Sequence, residues 1–428
     1  MRVSTRNRFL ITKMLRISFL SGFFYAQNPF TKQANFFCKG WIMNWRVYIL
    51  AAAAFSVGLV ELIVGGILPV IADDLGITIA SAGQLITVFA LVYAISAPVL
   101  ISMTAKVERK KLYLWALVIF TLGNIMTFFS TSFALVMIAR VITAMSTALV
   151  VVLSLTITAK IVKPEHRAKA IGLVFMGISS SLVLGVPVGI FLTEAFGWRT
   201  VFLGIALLSF LSFLLISLLL EKMPVEKVVP LRDQIKSLAS VKISTAHLVT
   251  LFMLAGHYVV YAYFTPFLEE AFGLEPLWVS VAYFIIGVAS IGGNAFGGIM
   301  SDKLGSKRSI LTVVSAFAIV LLLLPALTGY LVVFLLFAAL WGGLSWALTP
   351  AMQNYLIQSA PETSDIQQSL NTSALQLGIA MGSFIGGLVL TFTGSIYTLP
   401  MFGAMLVLVA LAFAFISLRQ PSTEVASQ

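Results

Sequence analysis

Cysteine, histidine and charge are all scarce in this chain of 428 residues. One cysteine, Cys38, cannot close an internal disulfide, and three scattered histidines offer no spacing for a zinc site. No metal and no cofactor is implied. No Gly-Lys-Ser/Thr phosphate loop occurs, so ATP is not an evident energy source. Nor do Ser, His and Asp, or two histidines, fall at a shared depth where an enzyme would need them. Only 10% of residues are charged while 60% are hydrophobic, and a water-soluble globule has nowhere to put that apolar majority. At about 20 residues per crossing, the composition asks for about a dozen membrane helices with short polar connections. The expected fold is all-α and polytopic in a lipid bilayer.

Long apolar runs place spans at 46–70, 83–104, 112–130, 134–159, 169–192 and 200–220, then at 246–268, 278–300, 309–328, 331–356, 366–392 and 398–418. The longest polar connection, 221–245, separates two sets of six. The domain reading is therefore a half at 43–220, a linker at 221–245, a half at 246–418 and a tail at 419–428. Residues 1–42 mix Arg2, Arg6, Arg8, Lys13 and Arg16 with apolar side chains. They suit a surface-lying amphipathic helix better than a signal peptide, because the apolar run is broken by charge and no small-residue cleavage site follows. Met43 stands just ahead of the first strong span, so this extension is expected to be dispensable.

Alternate connections must share a side of the membrane. One set, with both termini, carries 25 of the 27 Lys and Arg residues. By the positive-inside rule that set is cytoplasmic, and both termini with it. The other set carries Arg199 and the acidic Asp73, Asp74, Glu194, Glu269, Glu270 and Glu275. Arg140 lies inside a span. No nucleic-acid partner is implied, and a monomer is expected.

An offset of 197 residues aligns the two halves without a change of register. It pairs Phe55 with Phe252, Pro69 with Pro266, Gly76 with Gly273, Lys106 with Lys303, Lys110 with Lys307, Lys111 with Arg308, Gly189 with Gly386 and Gly197 with Gly394. Matches in spans and connections alike point to two parallel six-helix repeats, the duplication on which rocking transporters are commonly built. The paired positions also differ in kind. Glu61 pairs with Tyr258 and Arg140 with Phe337, so the first half holds charge where the second holds rings.

Glu61 lies near the middle of the first span, where an unpartnered carboxylate is expensive. It is read as a proton-coupling site, with a static ion pair to Arg140 or direct substrate contact as alternatives. Arg140 enters at a compatible depth, and can also snorkel to the surface. In the seventh span His257, Tyr261 and Phe264 share a face, with Tyr258 alongside, and the tenth adds Trp346, Gln353 and Asn354. Rings for stacking and amides for edge contacts suit a flat heterocycle, although membrane aromatics are also common packing and interfacial residues.

The connection Gly298-Ile-Met-Ser-Asp302-Lys303-Leu-Gly305-Ser-Lys307-Arg308 resembles the loop signature of the major facilitator superfamily, with Ala105 and Glu108 replacing its aspartate and glycine in the first half. Arg140 matches the span-four arginine of the drug:proton antiporter branch, and Gly185-Val-Pro187-Val-Gly189 is similar to that branch's antiporter motif. Gly58-Leu-Val-Glu61-Leu-Ile-Val-Gly65-Gly-Ile-Leu-Pro69 resembles the arabinose-efflux-like subgroup. Gly256-His257-Tyr258, Leu344-Ser-Trp346 and Ser364-Asp365-Ile-Gln-Gln-Ser-Leu-Asn371 look like the purine efflux type of the bacilli. The resemblance implies the twelve-helix major facilitator fold and proton-coupled efflux of purine bases and nucleosides across a bacterial cytoplasmic membrane. It also implies a gating motif at Asp302, Gly305, Lys307 and Arg308. Multidrug or sugar efflux is the alternative.

Overall fold

The computed structural model describes residues 45–163, 166–223 and 231–420. The expected extension at 1–42 lies outside them, as do residues 224–230 of the linker and 421–428 of the tail. The first six spans are built from α1 (Trp45–Gly66) with α2 (Leu68–Asp74), α3 (Ile79–Met103), α4 (Arg109–Phe128), α5 (Phe133–Ile161), α6 (Arg167–Ser180) with α7 (Val186–Phe196), and α8 (Arg199–Leu219). After a short α9 (Leu231–Lys236), the second six are α10 (Val241–Tyr261) with α11 (Phe264–Phe272), α12 (Pro276–Leu304), α13 (Ser306–Leu323), α14 (Leu331–Ser359), α15 (Ser364–Thr393) and α16 (Leu399–Arg419). Among the described residues, twelve helices are long and apolar enough to cross a membrane. They are apolar nearly all round because one side meets lipid and the other meets protein.

The 197-residue offset governs the backbone as well as the sequence. Ile79 and Pro276 open α3 and α12, Arg109 and Ser306 open α4 and α13, and Arg167 and Ser364 open α6 and α15. Gly76 and Gly273 turn the chain at φ 61° and 62°, and Gly197 and Gly394 at 83° and 62°, conformations that only glycine adopts cheaply.

Two seams join the halves: α3 runs along α15, and α7 runs along α12. Applying the offset converts α3 into α12 and the α6–α7 segment into α15, so each seam is the repeat-related copy of the other. This is the arrangement of two parallel repeats about an axis along the membrane normal. Within the second half, α10 packs between α15 and α16, and α12 crosses α14.

Two spans that read as continuous apolar runs are in fact broken. The first stops at Gly66 and restarts at Leu68, with Ile67 at φ −119° between them; the seventh stops at Tyr261 and restarts at Phe264, with Tyr263 at φ −117°. Pro69 and Pro266, early in the second segments, withhold the N–H groups that would continue the ladder. Hydropathy cannot register such a break, because it counts apolar side chains and not backbone hydrogen bonds. In the fifth span, Pro187 has the same effect, and the ladder widens into a π-turn at Ser181–Gly185. There Gly185 and Gly189 sit close against Leu59 and Ile63 of α1.

Candidate functional site

Glu61 stands five residues before the break in the first span, and His257, Tyr258 and Tyr261 stand just before the break in the seventh. Interrupted helices at corresponding positions of two repeats are where membrane transporters place binding sites, since the freed backbone groups line a cavity. The freed carbonyls of Gly65 and Gly66 are taken up by the other half: Thr265 donates its hydroxyl to them at 2.9 and 3.1 Å.

The Glu61 carboxylate accepts a hydrogen bond from Gln376 Nε2 of α15 at 2.8 Å, a contact that crosses between the halves. Glu61 retains some exposure. Gln376 is 3% exposed, and its Oε1 is buried without a hydrogen-bond partner. Arg140, by contrast, is sealed at 1% exposure. It donates from Nη1 to the Val60 carbonyl at 2.7 Å and from Nε to the Leu85 carbonyl at 3.3 Å, with its guanidinium 4.1 Å from the Phe89 ring centre. Nη2 is left without a partner. Arg140 acts on Glu61 through its field and not through a contact ion pair, so neither the static pair nor a snorkelling Arg140 describes this structure.

On the facing side the rings form one connected group. His257 lies 4.5 Å from Trp341 and stacks on Tyr261 at 5.3 Å. Tyr261 reaches Tyr258 at 5.2 Å and Tyr283 at 5.9 Å, and Phe264 reaches Trp341 at 5.6 Å. The phenols of Tyr93, Tyr258 and Tyr261 are within electrostatic reach of Glu61. Three polar atoms of this group are buried and lack a hydrogen-bond partner: His257 Nδ1, Tyr261 Oη and Trp341 Nε1. Buried polar atoms are nearly always satisfied, so three orphans within one ring group make it the candidate place for a ligand.

Not every expected residue joins this group. His257, Tyr258, Tyr261 and Phe264 do. Trp346 does not: it is partly buried and takes part in none of these ring contacts. Trp341, five residues earlier on the same helix and so about 140° around it, occupies the place expected of Trp346. Gln353 and Asn354 are corrected too. They lie 12 and 13 residues beyond Trp341 on α14, about 18–20 Å along the axis, and Asn354 Nδ2 donates to Ser301 Oγ at 3.1 Å. The amide that reaches Glu61 is Gln376 instead. A glutamine inside the apolar run 366–392 was the available signal, although the sequence does not show which face of α15 it occupies.

At the face carrying the basic connections, Asp302, Lys307 and Arg308 are exposed, and Gly305 turns the chain at φ 82° ahead of α13. Among the described residues Asp302 accepts no hydrogen bond here. Its repeat partner region works differently, because Glu108 caps α4 by accepting from the Lys110 amide at 3.2 Å and also holds the Met223 amide at 2.8 Å. At the opposite face Arg199 pairs with Asp74 at 2.8 Å and donates to the Ser130 carbonyl at 2.8 Å. That hydrogen bond from Arg199 holds the Asp74 carboxyl below the usual carboxylate range.

Residues 50–365 and 293–428 match the family model described as Major Facilitator Superfamily. The MFS-type transporter YbcL of Bacillus subtilis (strain 168) is 38% identical over 368 residues, covering 86% of this chain and 94% of that one. The inner membrane transport protein YdhP of Escherichia coli (strain K12) is 28% identical, covering 89% and 98%. Among solved structures, a bacterial homologue of the human lysosomal transporter Spinster, inward-facing and occupied, superposes with a TM-score of 0.69 at 17% identity, covering 88% of this chain and 97% of that one.

Proposed function

This chain belongs to the Major Facilitator Superfamily, whose members are membrane transporters and not enzymes, and from that premise we propose that it is a secondary active exporter exchanging protons for purine bases or nucleosides. The observation that carries the reading is a set of unpartnered buried atoms: Gln376 Oε1, on the amide that bonds Glu61, Arg140 Nη2, and Tyr261 Oη, Trp341 Nε1 and His257 Nδ1 within the ring group. A purine presents a flat face to Tyr and Trp rings and an edge of alternating donors and acceptors to such groups. Glu61 supplies the titratable group, and the first half's charge faces the second half's rings as an antiporter site requires. The basic face is cytoplasmic in this reading, supported by the 25 of 27 basic residues on its side. The turn that carries the exposed Asp302, Lys307 and Arg308 serves as a latch there, and the molecule works as a monomer.

A carboxylate among tyrosines also suits a flat organic cation, so multidrug efflux is the second reading. Inverted membrane vesicles acidified inside decide between them. Purine export predicts accumulation of labelled hypoxanthine that collapses when the pH gradient is dissipated. Accumulation of bulky cations with no hypoxanthine uptake would install the second reading.

A further inference from the structure

Hydrogen bonds between the halves run from mid-depth toward the acidic face: Glu61 with Gln376, Thr87 with Ser383 at 2.9 Å, and Thr265 with the Gly65 and Gly66 carbonyls. Of these, one includes a group that can gain or lose a proton. We propose that Gln376 is the positioning residue through which the second half reads the protonation of Glu61. This rests on the proton-coupling role given to Glu61 above.

An ionised Glu61 can only accept, so it selects the Nε2 edge of the amide, as observed. A protonated Glu61 has an O–H to donate, and the amide then offers its oxygen instead. Gln376 Oε1 has no partner, so turning the amide over breaks no bond other than the one being exchanged. Gln376 is 3% exposed, and water cannot substitute freely for either edge. The proton's arrival at a first-half carboxylate thus becomes a change of hydrogen-bond direction on α15, the helix that forms one of the two seams with α3. The neighbouring charged and titratable groups are Arg140 from α5, Tyr93 from α3, and Tyr258 and Tyr261 from α10. None of them is in the hydrogen bond, and Arg140 spends its Nη1 and Nε on the Val60 and Leu85 carbonyls. Arg140 sets the field in which Glu61 titrates; Gln376 reports the result.

The test needs no substrate. In the full chain with Cys38→Ser, spin labels at Ser132→Cys and Gly329→Cys, on acidic-face connections of the two halves, report their separation in lipid nanodiscs across a pH series. With Glu61 and Gln376 intact, the separation is expected to titrate in one step that Glu61→Gln abolishes. Gln376→Leu removes the donor to the carboxylate, so the midpoint is expected to move to higher pH by about one unit and the amplitude to fall several-fold. Gln376→Glu keeps the side-chain size, sets a second carboxyl against the first, and is expected to move the midpoint the same way. A midpoint unchanged in both variants, or a separation that ignores pH with both residues intact, overturns the proposal. Hypoxanthine counterflow measured on the same proteins separates the two readings. Transport with an unmoved titration removes the relay and leaves the exporter, whereas a shifted titration without hypoxanthine transport keeps the relay and removes the purine substrate.

Discussion

The Arg140 guanidinium is bonded to the carbonyl of Val60, the residue before Glu61, and not to Glu61 itself. With its second bond to Leu85, Arg140 ties α5 to the backbones of α1 and α3 while lending positive potential to the carboxylate next door. Lysine has the charge but not the planar fork, and cannot span two carbonyls and lie on the Phe89 ring at once. Arg140→Lys is therefore expected to cost about 2–3 kcal/mol of stability and to abolish pH-gradient-driven transport. Thermal unfolding in detergent and vesicle uptake check the two halves of that expectation.

Glu61→Gln keeps the side-chain volume and removes the carboxyl proposed to carry the proton. The Gln376 amide still has an acceptor in the new Oε1, so folding and solute binding are expected to persist. Uphill transport should cease while solute-for-solute exchange continues. Glu61→Gln vesicles that still concentrate solute under an imposed pH gradient would move coupling to another group.

Most of the fold could be read from residue order, because membrane burial leaves few alternatives to an apolar helix and the 197-residue offset marked the duplication. The breaks at Ile67 and Tyr263 could not be read that way, since they concern backbone hydrogen bonds inside apolar runs. At the site, Glu61, Arg140 and the ring-bearing face of α10 were visible as polar or aromatic side chains at odds with their spans. Trp341 and Gln376 were not, because choosing Trp341 over Trp346, or pairing Gln376 with a residue 315 positions away, depends on helix rotation and on which helices adjoin. Neither is written into a single span's pattern.

Where α12 crosses α14 the backbones touch. A Cβ built on Gly293 would stand 1.9 Å from the Gly343 carbonyl oxygen, and one on Gly297 2.2 Å from that of Ala347. A carbonyl in a helix cannot step aside, so Gly293→Ala must push the helices apart, at about 3 kcal/mol or more. Gly298 has nothing within 4 Å of such a Cβ, and Gly298→Ala is expected to be neutral or slightly stabilising. Thermal unfolding of the two variants side by side gives the comparison.

Asp74 and Arg199 form a clasp at the acidic face whose pH dependence has a definite sign. The Asp74 carboxyl is held below its ordinary range by the Arg199 hydrogen bond, so the clasp contributes fully above the usual aspartate pKa of about 3.9 and is lost as pH falls through the lowered value. With side chains 40% and 29% exposed, solvent screening limits it to about 0.5 kcal/mol. Asp74→Asn should lower the unfolding temperature slightly at neutral pH, and the difference should close below the ordinary carboxylate range. A gap that stays constant into acid would show that the clasp's charge is irrelevant.

Trp341 and Trp346 offer the sharpest contrast, because composition treats them alike and the structure does not. Trp341 is fully buried among His257, Tyr261 and Phe264, with its Nε1–H unpartnered. Stacking of a base on an aromatic side chain is worth about 1–3 kcal/mol, so Trp341→Ala should weaken hypoxanthine binding about tenfold or more. Removing a core ring also threatens folding, so the more telling variant is Trp341→Phe. It keeps a stacking face and removes only the donor, and losing one neutral hydrogen bond of about 0.5–1.5 kcal/mol should weaken binding about three- to tenfold. The loss should appear only for solutes with an acceptor on the facing edge. Trp346→Ala, outside the ring group, should change affinity by no more than about twofold. Titration of labelled hypoxanthine against the purified variants measures all three. Equal losses at Trp341 and Trp346 would mean that the solute binds elsewhere on α14, and undiminished binding in Trp341→Phe would mean that the solute takes no hydrogen bond from the indole N–H.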